Sequence, residues 1–425
     1  MPKVGDGVDA VTAFAGAAVA GMALFVPFTS RTSTAIDTPY QVASMANSVP
    51  RAAALGLIVA VVVAVLIRPA NRPGLVWLIA TCCAAALGIN YFVGHTMTSA
   101  EILTTQNYVN ALVGGVIFGA LCLCSLQLRW AALGFALGSV TVFVYGEVIA
   151  LVTSNMLSTT DRGVHSPSGL IIVAVVLLAV NTLRHRRSIR SPIVPPLTAD
   201  VPIGPIVSVT VLALSVLLAT ERLQHAFDGQ RATAWYIALA VAITIGAAFV
   251  AALLLPGRDG TAVLLSVSLA AAGDSLFDAE RIGWTLALIL VAGTAGILTG
   301  RRWATPWAVL LGAAALAAFT TFAERLPWSF AWTVGAVALA GVVGYAFGSI
   351  RISYGPSAVL GLGALYLPSI LWSIPTRLRN WQSGPDPMAE AAAGRTALAI
   401  TIGAAGALAL LYRIRSGTPA PTVKP

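Results

Sequence analysis

The chain has 425 residues, of which 58% are hydrophobic and 10% charged, and a formal net charge of +9. That leaves too little polar surface for a soluble globule of this length. So basic a balance would suggest nucleic acid in a soluble protein. Here no basic patch is interleaved with aromatics, and the excess sits in short turns, where it reads as a topology signal and an attraction to anionic lipid headgroups.

Fourteen apolar stretches follow one another, near 9–29, 51–67, 74–94, 108–128, 131–153, 169–183, 204–220, 233–255, 260–276, 284–300, 304–321, 328–349, 353–374 and 394–412. About 20 apolar residues in a helix cross the roughly 30 Å of hydrocarbon in a bilayer. The expected fold class is therefore all-α, a polytopic transmembrane helical bundle of about 14 spans. Polar Thr29–Pro50 after the first stretch has no convincing small-x-small cleavage site, so that stretch reads as a retained span rather than a signal peptide. The thirteenth stretch is interrupted by Pro356, Pro368 and Pro375, which suits a kinked, protein-buried span or a re-entrant segment.

With the N-terminus placed in the cytoplasm, the inner segments hold 15 basic residues against four acids, Asp6, Asp9, Asp200 and Asp259. The outer segments hold the other 10 basic residues and 12 acids. Orientation follows the Lys and Arg excess on the cytoplasmic side, so both termini are expected inside, in the cell membrane of a bacterium. Only Lys3 and Lys424 are lysines. Ala, Gly, Val and Leu dominate the spans, as in bundles whose backbones approach through small residues.

Arg184–Pro202 (RHRRSIRSPIVPPLTADVP) is basic, rich in proline and without helical periodicity, and reads as a cytoplasmic connector after six spans. The chain then divides into an N-terminal six-helix bundle (1–183), the connector (184–202), a second six-helix bundle (203–350), and two further helices with a cytoplasmic tail (351–425). Arg-Trp opens the fifth span (LRWAALGFALG, Leu128–Gly138) and stands just before the eleventh (RRWATPWAVLLG, Arg301–Gly312). That spacing of six spans fits two related halves, and also two ordinary interfacial anchors.

Six spans, a basic connector and further spans resemble a major facilitator superfamily transporter. The turn between spans two and three, LIRPANRPGLVW, has Arg68, Arg72 and Gly74 near the family's Gly-x-x-x-Asp-Arg-x-Gly-Arg motif, without its Asp. The later turn LLPGRDGTAV has Gly257, Arg258, Asp259 and Gly260, and the fourth span has Gly114, Gly115 and Gly119. Gly134, Gly138 and Gly146 mark the fifth span, without the family's Gly-Pro; its membrane Arg would fall near Asn110. Over about residues 9–350 the resemblance implies a 6 + 6 core with a rocker-switch route between the halves.

Three outer helix ends carry similar triplets: Glu221-Arg222-Leu223, Glu280-Arg281-Ile282 and Glu324-Arg325-Leu326. Arg222, Arg281 and Arg325 could fork onto phosphate or carboxylate around an outer vestibule. The competing reading is interfacial arginines in weak salt bridges. Asn110 and Tyr91, with Asn90, Asn181 and Tyr236, are the candidate polar points along a solute route. Glu147 and Asp274 are the carboxylates near the hydrocarbon, candidates for ion coupling or for pairing with an arginine.

Cys82, Cys83, Cys122 and Cys124 lie inside spans without a zinc spacing and are expected to be buried, inert thiols. No metal, nucleotide or hydrolase motif is present, and no cofactor is expected. The sequence favours a transporter of a small or amphiphilic, anionic solute or lipid, with membrane lipids as its surroundings. Its alternatives are a non-transporting scaffold with envelope protein partners, and a lipid-linked-sugar transferase using Asp37.

Overall fold

A computed structural model describes residues 4–25, 39–67, 73–94, 100–155, 168–186, 203–228, 234–276, 285–323, 330–350, 354–374 and 387–416. Every apolar stretch becomes helix: α1 (Val4–Phe25), α2 (Pro39–Ile67), α3 (Pro73–Gly94), α4 (Ala100–Leu126), α5 (Arg129–Asn155), α6 (Ser168–His185), α7 (Ile203–Asp228), α8 (Ala234–Leu254), α9 (Gly260–Ser275), α10 (Thr285–Arg302), α11 (Pro306–Ala323), α12 (Ala331–Ser349), α13 (Gly355–Gly363) and α14 (Pro387–Ser416). Nine of the described segments are long and apolar enough to cross a membrane, and four more are shorter apolar helices. The protein is a polytopic helical membrane protein. Proline opens α2, α3, α11 and α14, where its missing N–H would have no partner in any case. Pro50 lies within α2, which starts twelve residues before the stretch read at 51–67. One missing donor did not end that helix.

Small residues set the helix pairs. A methyl added at Gly115 or Gly119 of α4 would sit 2.2 or 2.3 Å from the Gly56 or Ala60 carbonyl oxygen of α2. At Gly296 and Gly300 of α10 it would meet the Gly341 and Tyr345 carbonyls of α12 at 2.2 and 2.3 Å. No Cβ survives at such distances, so glycine is what brings these backbones together, the usual solution where lipid supplies no hydrophobic drive.

The helix contacts group the chain differently from the division at 203–350 and 351–425. α1 packs on α5, α2 on α4 and α3 on α6; the same order recurs when α9 packs on α13, α10 on α12 and α11 on α14. α14 is a packing helix and not an appendage: Ala393, Ala397, Ile400, Ala404, Leu408 and Leu411 form its buried stripe. α7 and α8 pair with each other, α7 lies against α2, and α8 against α9 and α14. The first unit meets the second where α5 touches α10 and α12, and where α13 touches α2 and α4.

Arg129, Arg184, Arg258, Arg301, Arg302, Arg413 and Arg415 collect at one end of the bundle, called the basic end below. Arg184 Nη1 donates to Asp9 Oδ1 at 2.9 Å and to Asn181 Oδ1 at 2.9 Å, while His185 Nε2 lies 3.2 Å from the same Asp9 oxygen and stacks on Trp77. This cluster ties the start of α1 to the end of α6. Arg415 donates to the Ala252 and Leu255 carbonyls that end α8, at 2.9 and 2.7 Å, satisfying acceptors that a helix terminus leaves open. Cys122 and Cys124 are buried as expected, whereas Cys82 is exposed.

The thirteenth stretch runs the length of the bundle as a broken span. Gly355 lies against Leu123 near the basic end. α13 gives way to a 3₁₀ turn at Ala364–Tyr366, an extended piece around Pro368, and a second 3₁₀ turn at Ile370–Ser373. Pro368 cannot donate, and the residue before a proline is driven out of helical conformation. Such backbone survives at membrane depth only inside protein, and 89% of Gly355–Ser373 is buried. Neighbouring side chains serve it. Ser266 Oγ donates to the Gly361 carbonyl. Asp274 Oδ2 accepts from Ser369 N at 2.8 Å and from Ser369 Oγ. Ser373 Oγ donates to the Thr220 carbonyl at 2.7 Å.

Candidate functional site

A cavity of about 370 Å³ opens at the basic end, between the two groups of helices. Leu126 at the end of α4 and Ala132, Phe135 and Ala136 at the start of α5 form one wall. Ile297 and Arg301 of α10 and Phe347, Gly348 and Ile350 at the end of α12 form the other, with Ala358 and Leu362 of α13 between them. The small residues Ala132 and Ala136 leave room beside α5. Gly348 brings α12 against α10, since a methyl there would sit 2.9 Å from the Arg301 amide nitrogen.

Among the described residues Arg301 is the single polar side chain lining this cavity, and it is exposed. It stands in the last turn of α10, where a cation complements the helix dipole. No ion pair engages it among the described residues. Two arginines flank the region on tryptophans: Arg302 lies 5.2 Å over the Trp303 ring and Arg129 5.8 Å over Trp130. These are the Arg-Trp pairs seen in the sequence. Tyr345 fixes the α10–α11 turn, with its hydroxyl 2.6 Å from Thr305 Oγ1 and donating to the Trp303 carbonyl.

Away from the basic end the thirteenth span occupies the interior among the described residues. Tyr366 rests on Gly21 of α1 and donates to the Ser139 carbonyl of α5 at 3.0 Å. Its ring is edge-on to Phe118 at 5.6 Å. Asp274 and Thr220 hold the following residues from the other side. In the middle of α2, away from the basic end, Arg51 Nε meets Glu221 Oε1 of α7 at 2.6 Å, beside a cavity of only about 60 Å³ that His225 and Gln224 also line.

The residues singled out in the sequence are scattered by this arrangement. Arg222 is exposed and lines neither cavity, while its neighbour Glu221 pairs with Arg51 rather than with another triplet. Arg281, Arg325 and Asp37 lie outside the described residues. Glu147 belongs to α5, with its side chain outside the described set. Asn110 is buried and accepts from Asn90 Nδ2 at 2.7 Å, joining α3 to α4 within one unit. Tyr91 is buried next to it in sequence, edge-on to Phe92 at 5.6 Å. Asn181 serves Arg184, and Tyr236 is 41% exposed on the outside of α8. Asp274 is brought to the boundary between the units, bound to Ser369. What the sequence reading missed is Arg301, counted there as one more basic turn residue.

Chemically, the lining offers a guanidinium that can fork onto a carboxylate or phosphate, set in apolar walls. Among the described residues the lining holds no nucleophile, acid or base. No group of three or more metal-ligating side chains occurs among the described residues.

No known family profile matches the chain, and no curated protein matches it. Among solved structures, it is similar to an auto-inhibited POT family peptide transporter, with 14% identity over 99% of this chain and 98% of that one and a TM-score of 0.48. It is also similar to the nucleoside transporter NupG, with 13% identity over 97% of this chain and 99% of that one and a TM-score of 0.36.

Proposed function

We propose that this protein is a membrane carrier that takes a small or amphiphilic anionic solute or lipid into the cavity at Arg301 and passes it between two six-helix units. The observation that carries this reading is the cavity itself. At about 370 Å³ it falls within the size of ligand sites, which are mostly apolar with a few placed polar groups. It lies between helix groups that pair in the same order, α1–α6 and α9–α14, with α7–α8 interposed. Helices that meet through glycine and alanine can rock as units, and a solute site at the junction of repeats is the arrangement alternating access requires. In this reading the basic end faces the cytoplasm of the cell membrane, and the thirteenth span, held by Asp274 and Thr220, closes the route beyond the cavity.

Purified protein in proteoliposomes, preloaded with a panel of organic anions, tests this by counterflow of the labelled anion. Ala136→Trp, which fills the cavity, is expected to abolish uptake that the unaltered protein supports. If no anion in the panel moves with either protein, the carrier reading fails. A second reading, a non-transporting scaffold in an envelope complex, is favoured by the buried Gly355–Ile374 segment that fills the space between the units. Co-purification of a stoichiometric protein partner without counterflow would select it. The glycosyl-transfer reading rests on Asp37 alone and finds no support at the cavity.

A further inference from the structure

The chemistry of the cavity wall narrows the occupant further, given that the carrier reading above places the solute there. We infer that the site selects a single-chain amphiphilic monoanion, a carboxylate with an alkyl or aryl body, and rejects peptides, nucleosides, sugars and two-chain phospholipids.

Three observations carry this. The first is charge: among the described residues Arg301 is the one charged group in the lining, and it matches one anionic head. Its planar fork suits a carboxylate in bidentate contact. The second is polarity. Phe135, Ile297, Phe347 and Leu362 offer no hydrogen-bond partner. A peptide amide, nucleoside base or sugar hydroxyl placed against them would leave its donors and acceptors without partners, a desolvation cost that an alkyl or aryl body does not carry. An alkyl or aryl body gains by the same burial. The third is volume. At about 370 Å³ the cavity lies at the small end of the roughly 300–1,000 Å³ of ligand sites, which suits a medium-chain carboxylate better than a phospholipid with two acyl chains. The exposed guanidinium at the mouth puts the head at the aqueous rim and the body inward, toward Leu362 of α13.

The test uses the full chain in phosphatidylcholine nanodiscs, with empty discs as the partition control. Binding of decanoate, decanol, dialanine and uridine is measured by calorimetry. Decanoate is expected to bind saturably, with at least tenfold weaker binding in Arg301→Gln and intermediate binding in Arg301→Lys, which keeps the charge but not the bidentate fork. Decanol should bind Arg301→Gln and the unaltered protein alike, and Ala136→Trp should lose both ligands. Repeating the titration in discs containing phosphatidylglycerol should leave decanoate binding unchanged. Loss of binding in those discs would show that a two-chain lipid occupies the site and would overturn the inference. So would tighter binding of dialanine or uridine than of decanoate, or decanoate binding indifferent to Arg301→Gln. Counterflow separates this result from the carrier reading. Arg301-dependent binding without counterflow would sink the carrier and keep the site, whereas counterflow of a polar solute would do the reverse.

Discussion

Asp274→Ala should be among the most destabilising single substitutions in this protein. Its carboxylate is 9% exposed and accepts two hydrogen bonds from one residue, the Ser369 amide at 2.8 Å and the Ser369 hydroxyl. Hydrogen bonds to a charged group contribute about 1.5–3 kcal/mol each, and a buried donor left unmet costs about 1–3 kcal/mol. No helical carbonyl stands in for the lost acceptor, because Ser369 follows Pro368 in the extended piece of the thirteenth span. Asp274→Ala should therefore cost about 3–5 kcal/mol. Asp274→Asn keeps one acceptor oxygen and should cost about 1–2 kcal/mol. Ser369→Ala removes the hydroxyl bond and the 3.3 Å contact from the Leu371 amide, but leaves the amide bond to Asp274; about 1–2 kcal/mol is expected. The assay is equilibrium unfolding in mixed micelles of increasing SDS fraction, read by the fluorescence of the ten tryptophans. A double-mutant cycle isolates the pair, and a coupling of about 1–2 kcal/mol is expected between neighbours in one network. A coupling near zero, or Asp274→Ala within about 1 kcal/mol of the unaltered protein, would refute the account of how the broken span is held.

Gly119→Val and Gly296→Val each force a side chain into a carbonyl 2.2–2.3 Å from the Cβ position, and should lower stability by about 1–3 kcal/mol in the same unfolding assay. Arg184→Gln removes the guanidinium from an Asp9 that is 5% exposed; a loss of about 1–3 kcal/mol is expected, partly restored when Asp9→Asn is added. By contrast, Arg51 and Glu221 form a pair whose side chains are 49% and 31% exposed, so Arg51→Gln should shift stability by no more than about 1 kcal/mol. Buried Cys122 and Cys124 should resist a membrane-permeant maleimide until the protein is unfolded, while exposed Cys82 reacts first, as mass spectrometry of the labelled peptides would show.

The helices were legible because the bilayer imposes one requirement on every span, a length of apolar residues with charges at its ends. The thirteenth span was legible as an exception through its prolines. How the helices group was not. Gly115 and Gly119 stand out in the sequence, but nothing near them points to Gly56 and Ala60 as the surfaces they meet, since a glycine seam is specified by two helices at once. The same is true of α14, whose apolar stripe looks like any lipid-facing span until its partners α9 and α11 are known. At the site the difficulty was of another kind. Arg301 has the same sequence setting as Arg129 or Arg258, a basic residue in a turn, and only the converging ends of α5, α10, α12 and α13 distinguish it. The repeated Glu-Arg triplets drew attention through their pattern, yet Glu221 found its partner on α2.

The broken thirteenth span also constrains how the molecule is made. A continuous helix can enter the bilayer alone, because it satisfies its own amides. Residues 361–374 cannot: the partners that accept and donate to them, Asp274, Ser266 and the Thr220 carbonyl, all belong to helices synthesised earlier, and Tyr366 finds its acceptor on α5. Their insertion therefore has to wait until α5, α7 and α9 stand side by side. Synthesis order and folding order coincide here, and α14 closes over a segment that only a nearly finished protein can hold.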